Sequence, residues 1–208
     1  SHHYDVTDPL CISHEIGRDD DFRQTIGRLK DHQMGWIQDI VPNHMAFHTD
    51  NHRLRDVLEK GPFSVYAGFF DIDFHHESLR NKLMLPVLTQ TLTKEIDRGY
   101  LKLGWKSGGF TLNYRDQVFP VNFATFRLLI REFQAHIPVS LSHFLKAFRL
   151  DQQEADSYFL NHTWPLFKQE LDDIYRHKHS LQSFAGEVMK SVNSKKQWLL
   201  DLAEMQHY

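Results

Sequence analysis

The chain has 208 residues, 41% of them hydrophobic and 25% charged, with a formal net charge of -3. That is enough for one large or two small globular domains, and the near-neutral balance gives no reason to expect a nucleic acid or an anionic membrane as partner. A single cysteine, Cys11, cannot close an internal disulfide, and with no apolar run of about 18 residues the chain is expected to be soluble and cytoplasmic.

In chain order, "HHYDVTDPLCI" (2–12) has the composition of a strand end followed by a Pro-containing loop. "GRDDDFRQTIGRLKDHQMG" opens on three acids, Asp19 to Asp21, and repeats Phe22, Ile26 and Leu29 at helical spacing before Gly35. These features predict an amphipathic helix. "WIQDIV" (36–41) follows at once and reads as a short buried strand, making the front of the chain an α/β unit.

Beyond His44, "NHRLRDVLEKGPFSVYAGFFDIDF" reads as a short helix stopped at Gly61-Pro62, a further helical turn, and a strand-like "FFDIDF". "NKLMLPVL" is another strand candidate. "GYLKLGWKSGGFTLNYRDQVFPVNF" alternates over two stretches separated by Ser107-Gly108-Gly109, the pattern of a β-hairpin. From about residue 122 the chain reads as helical: Phe126, Leu129, Ile130 and Phe133 share one face, Phe144, Leu145 and Phe148 another, and long helices are expected over 151–178 and 182–205.

The chemistry-bearing stretch is "DIVPNH", Asp39 to His44. Polar residues directly after an apolar parallel strand stand where α/β barrels carry their sites. The 15 histidines invite a metal reading, but His2-His3, His75-His76 and His177/His179 lack ligand spacing, and no metal is expected. Asp71 and Asp73 would share a strand face, yet nothing supplies the unequal environments an acid–base pair needs. Asp172 and Asp173, adjacent on a helix, read as solvated.

"DIVPNH" resembles the Asp-x-x-x-Asn-His signature at the end of the third barrel strand in the α-amylase superfamily, family 13 of the glycoside hydrolases. "HHYDVTD" is similar to the His-Gly-Tyr-x-x-x-Asp stretch after the second strand, with His3 standing where Gly is usual. "HEIG", "RDVLEKGPFSVYAGFFDIDF", "KLMLPVL", "GGFTLNYRDQVFPV" and "LLDLAEMQHY" look like successive blocks of one branch of that superfamily, which carries a large insertion after the third strand.

The resemblance implies a helix-rich α+β chain: a partial (β/α)8 barrel segment over 1–46, and over 47–208 a mainly helical inserted subdomain with a small antiparallel sheet. It implies a maltooligosaccharide substrate and, for the whole enzyme, an intramolecular transglucosylation that turns the reducing-end α-1,4 linkage into an α,α-1,1 linkage without a cofactor. Tyr4 would stack on a glucose face, His44 would hydrogen-bond a hydroxyl at the cleavage site, and Asn43 and Asp39 would shape the strand end. The three carboxylates of the reaction follow later strands, so this chain is expected to hold no catalytic residue and to be inactive alone. Its exposed barrel edge would favour self-association. Two other readings remain open, a carbohydrate-binding module and a His-rich metal-binding protein.

Overall fold

The computed structural model describes residues 4–79, 82–150 and 153–208. They form two compact units, Ser1–His52 and Arg53–Tyr208.

In the first unit the expected helix is present as α1 (Asp19–Asp31), with its three acids in the first turn and Arg28 and Lys30 in the last, each sign facing the opposite helix pole. Asp21 accepts from the Arg18 amide at 3.0 Å, capping the start. The strand expected at 36–41 is not formed: these residues carry no strand pairing, and Ile37 is 97% exposed, with Trp36 and Ile40 also in solvent. A parallel strand is stable only when a neighbour takes its ladder bonds and both faces are covered, and the described residues of this unit supply neither. The strand end expected before Pro9 is a series of turns for the same reason.

The second unit is helix-rich around one small sheet. α2 spans His52–Lys60 and ends in a 3-10 turn at Gly61–Phe63, as the Gly-Pro pair dictates. Gly61 has φ +59, and a Cβ there would lie 2.9 Å from the His207 ring. Burial holds that imidazole below its usual range, with the Lys82 charge acting the same way. "FFDIDF" and residues 82–88 of "NKLMLPVL" are irregular rather than strands. Asn81 lies outside the described residues. Both runs lack a partner, and β propensity without one does not make a strand. Asp71 and Asp73 therefore share no strand face; Asp73 accepts from the His75 amide at 2.8 Å.

After α3 (Leu92–Asp97) come β1 (Leu101–Lys106), β2 (Gly109–Tyr114) and β3 (Gln117–Pro120), antiparallel in the order β1-β2-β3. The expected hairpin is thus extended by a third strand. Ser107 and Gly108 take φ 52 and 73 between the paired Lys106 and Gly109, the left-handed pair of a tight two-residue turn. The second turn places Arg115 at φ 55. Its guanidinium bonds Tyr114 Oη at 3.1 Å and Thr89 Oγ1 at 3.0 Å and lies 4.6 Å over the Tyr100 ring, contacts that offset the backbone strain.

Helices α4 (Phe123–Glu132), α5 (Val139–Ala147), α6 (Trp164–His177), α7 (His179–Asn193) and α8 (Lys196–Glu204) complete the unit. A π-helical stretch, Phe159–Thr163, leads into α6. The long helix expected over 182–205 is broken at Ser194 and Lys195, and the start of the one expected at 151 falls on Asp151 and Gln152, outside the described residues. The core centres on aromatic rings: Trp164 stacks on Phe167 (centroids 5.2 Å, 15°), and Phe126 meets both edge-on. All three are fully buried. Asp172 pairs with Arg176 at 2.5 Å and Asp173 with His177 at 3.4 Å, each a helix-surface pair of small energetic weight.

Three polar contacts fix long-range registers. Glu59 on α2 accepts from Trp164 Nε1 at 2.7 Å and from Lys168 Nζ at 2.6 Å. Asn193 on α7 accepts from the Leu103 amide at 2.7 Å and donates to its carbonyl at 2.9 Å. Asn122 caps α4 by accepting from the Thr125 amide, while its own amide donates to Gln206 Oε1 and its Nδ2 to the Met205 carbonyl.

Gly108→Ala should unfold the hairpin turn, because an L side chain pays about 1 kcal/mol or more for this φ and its Cβ would fall 1.8 Å from the Lys168 carbonyl oxygen. At Gly109 a Cβ meets only Lys168 Cδ, at 3.6 Å, so Gly109→Ala should retain most of the stability in urea unfolding.

Glu95 is buried beside the second turn, against Tyr114 and Arg115. Burial alone would raise its carboxyl pKa, but hydrogen bonds from Tyr114 and Thr89, with the Arg115 and Arg98 charges, outweigh it and hold the group below the usual carboxylate range. A depressed folded pKa gives stability that is complete above the unfolded value and is lost as pH falls through the folded one. Urea midpoints measured between about pH 5 and pH 3 should therefore drop more for the native chain than for Glu95→Gln.

Candidate functional site

The polar residues singled out in the sequence gather in the first unit, where two chain segments meet. The Ala46 amide donates to the Val6 carbonyl at 2.8 Å, placing 4–8 beside 43–46. The buried Asn51 donates through Nδ2 to the Ala46 carbonyl at 3.3 Å, so the loop after "DIVPNH" is braced from behind. These backbone links decide which side chains become neighbours.

His44 stands at the centre. Its Nδ1 lies 3.1 Å from Asn43 Oδ1, and its Nε2 lies 3.9 Å from Asp5 Oδ1, with both side chains half-exposed. That last spacing is beyond a hydrogen bond and within reach of an ion pair once the ring is protonated. With Nδ1 donating to Asn43, the neutral ring presents Nε2 as an acceptor, and Asp5 adds a second acceptor beside it. Such a corner suits the hydroxyls of a polar, uncharged ligand. Tyr4, adjacent to Asp5, is 52% exposed, leaving ring surface in solvent.

Asp39 is exposed, and it is its backbone carbonyl that accepts, from Gln38 Nε2 at 2.8 Å. The described contacts do not bring its carboxylate to His44. His2 and His3, which precede Tyr4, lie outside the described residues.

Sequence reasoning did not single out Asp5, Asn51 or His52, and met Asp8 only as the last residue of the stretch matched by "HHYDVTD". Asp8 accepts from the Leu10 amide at 3.0 Å and from Cys11 Sγ at 3.4 Å, and its Oδ2 lies 4.0 Å from His52 Nδ1. The spacing Asp5/Asp8 opposite His44/His52 emerges only once the Val6–Ala46 link is known. Among the described residues no three His, Cys, Asp or Glu side chains are placed to hold a metal ion, and no helix is long and apolar enough to cross a membrane.

The comparisons with known proteins point to trehalose-forming synthases as the proteins this chain resembles. No family model matches the chain. Relatives named as maltooligosyl trehalose synthases in two Mycobacterium tuberculosis strains are each 37% identical over 109 residues, 50% of this chain and 14% of theirs. Among solved structures, the glycosyltrehalose synthase of strain DSM5389 is 34% identical with a TM-score of 0.54, over 64% of this chain and 17% of that one. A Sulfolobus tokodaii protein titled as a hypothetical maltooligosyl trehalose synthase is 33% identical with a TM-score of 0.51, over 66% of this chain and 18% of its own. This chain is thus similar to a portion of maltooligosyl trehalose synthases, spanning about one seventh of the length of the curated relatives.

Asp8→Ala should loosen the turn that leads away from the corner. Removing the side-chain acceptor of the Leu10 amide costs about 1 kcal/mol, so that amide should exchange with deuterium roughly fivefold faster, with α1 unaffected.

Proposed function

We propose that this chain is a segment of an intramolecular transglucosylase of the α-amylase superfamily that makes maltooligosyl trehalose from maltooligosaccharides. The observation that carries the reading is the 37% identity to the Mycobacterium tuberculosis relatives over half of the chain, joined to a corner in which Asn43 and His44 stand together. In this reading Tyr4 stacks on a glucose ring, His44 and Asn43 bond its hydroxyls, and Asp39 supports the strand end.

Residues 36–41 become the third strand of a (β/α)8 barrel when neighbouring strands supply the ladder partners missing here. Residues 1–46 then form the barrel part, and 47–208 the insertion that helps wall the pocket and shield a freed glucose from water. The catalytic carboxylates come from later strands, so the chain alone is inactive. The parent enzyme works in the cytoplasm without a cofactor. The exposed Trp36, Ile37 and Ile40 are the apolar face through which isolated copies self-associate.

The test is a graft in which this chain replaces the matching region of the Mycobacterium tuberculosis relative, assayed for a non-reducing, α,α-1,1-ended product from maltopentaose. The graft should form product, and His44→Ala within it should lower kcat/KM by roughly 100-fold, about 2.7 kcal/mol of lost transition-state binding. A folded graft whose activity is indifferent to His44→Ala would refute the assigned role.

A further inference from the structure

A second candidate surface belongs to the helix-rich unit and is made of residues to which no role is assigned above. The stretches 61–70, "GPFSVYAGFF", and 157–167, "SYFLNHTWPLF", contain no Asp, Glu, Lys or Arg in a chain that is 25% charged. Part of each turns into the core, as Phe159, Trp164 and Phe167 do. The remainder does not: Phe63 is 45% exposed, Phe69 69% and Tyr158 72%. Several aromatic rings left in water within two uncharged stretches mark a candidate contact surface.

The rings are held in position. Tyr66 and Phe69 form an edge-to-face pair with centroids 5.6 Å apart, and Tyr158 packs on His162 at 4.8 Å. Asn161 joins the two stretches by donating through Nδ2 to the Phe63 carbonyl at 2.7 Å and to the Ser157 carbonyl at 2.8 Å. The π-helical turn Phe159–Thr163 presents Tyr158, Asn161 and His162 here, and such turns recur at functional sites. The adjacent charges are neutralised: Lys60, itself buried, pairs with Asp56 and donates to Asn161 Oδ1 at 3.2 Å.

We propose that Phe63, Tyr66, Phe69, Tyr158 and His162 form a stacking surface for a linear α-1,4-glucan, built from residues other than those of the Tyr4–His44 corner. This rests on the reading of the chain as part of a glucan-converting enzyme. The chemistry matches on two counts. Pyranose rings offer apolar C–H faces to exposed aromatic rings, and the phenol and imidazole tips provide donors and acceptors for sugar hydroxyls. An uncharged surface is also electrostatically complementary to a neutral polyol, whereas an ionic partner would find no opposite charge here.

The experiment is a calorimetric titration of maltoheptaose into the 208-residue chain and into Phe69→Ala, Tyr158→Ala, Tyr158→Phe and a Tyr4→Ala/His44→Ala double variant, with sedimentation run beside it. Both single rings are largely exposed, so their removal should leave the thermal unfolding midpoint unchanged. Expected is saturable binding that weakens roughly two- to tenfold for each Ala variant, is largely kept by Tyr158→Phe, and persists in the double variant. Binding abolished in the double variant yet untouched by Phe69→Ala and Tyr158→Ala would overturn the surface while leaving the proposed function standing. Absence of binding to the native chain would overturn it as well, and the graft assay then decides the proposed function separately. A shift from dimer to monomer in Phe69→Ala with no change in sugar affinity would identify the occupant as a second copy and equally reject the proposal.

Discussion

The helix-rich unit depends on a buried pair of carboxamides, Asn122 and Gln206, 84 positions apart. Gln206 accepts from the Asn122 amide and donates through Nε2 to Thr125 Oγ1 and to the Leu202 carbonyl, both within hydrogen-bond range. Gln206 is 1% exposed and Asn122 4%, so any of these groups left without a partner would cost on the order of 1–3 kcal/mol. One contact thus sets where β3 hands over to α4 and where α8 ends. Tyr208, whose hydroxyl donates to the Pro120 carbonyl at 2.8 Å, extends the same seam, and its burial pushes the phenol well above its usual pKa, with the Glu59 charge adding to this. The aromatic core fills the space that this seam and the Glu59–Lys168 pair enclose.

How much of this was legible in the sequence follows from how local each determinant is. α1, the Gly61-Pro62 stop, the Ser107-Gly108 turn and the apolar faces of α4 and α5 are written within a few residues of themselves, through caps, turn chemistry and periodicity. β3 was less visible because its turn uses Arg115 and Asp116 in place of glycine, and what permits the positive φ at Arg115 is a set of contacts with Thr89, Tyr100 and Tyr114 from outside the turn. The break at Ser194 and Lys195 was hidden for a related reason: neither is a strong helix breaker, and the chain turns there because α7 and α8 pack on one another and on β1.

The misread strands teach the complementary point. "WIQDIV" and "FFDIDF" have the composition of strands, but a strand is a relation between segments, and its free energy arrives with the partner. At the polar corner, Tyr4, Asp8, Asn43 and His44 could be placed from motif resemblance, whereas nothing in the motifs paired Asp5 and Asp8 with the histidines. Their proximity to His44 and His52 is a product of the single Val6–Ala46 backbone bond. The exposed rings of 61–70 and 157–167 were equally silent, since Phe and Tyr in sequence do not announce which side of a fold they will occupy.

The Asn193 carboxamide has a consequence beyond holding α7 to β1. By meeting both the amide and the carbonyl of Leu103 it imitates one residue of a fourth strand, and it does so at the free margin of a three-stranded sheet. A newly made chain that meets another copy therefore finds the β1 margin already occupied at Leu103, which disfavours the addition of a foreign strand on that side. Such a blunted margin works during synthesis against the edge-to-edge aggregates that an aromatic-rich chain would otherwise invite.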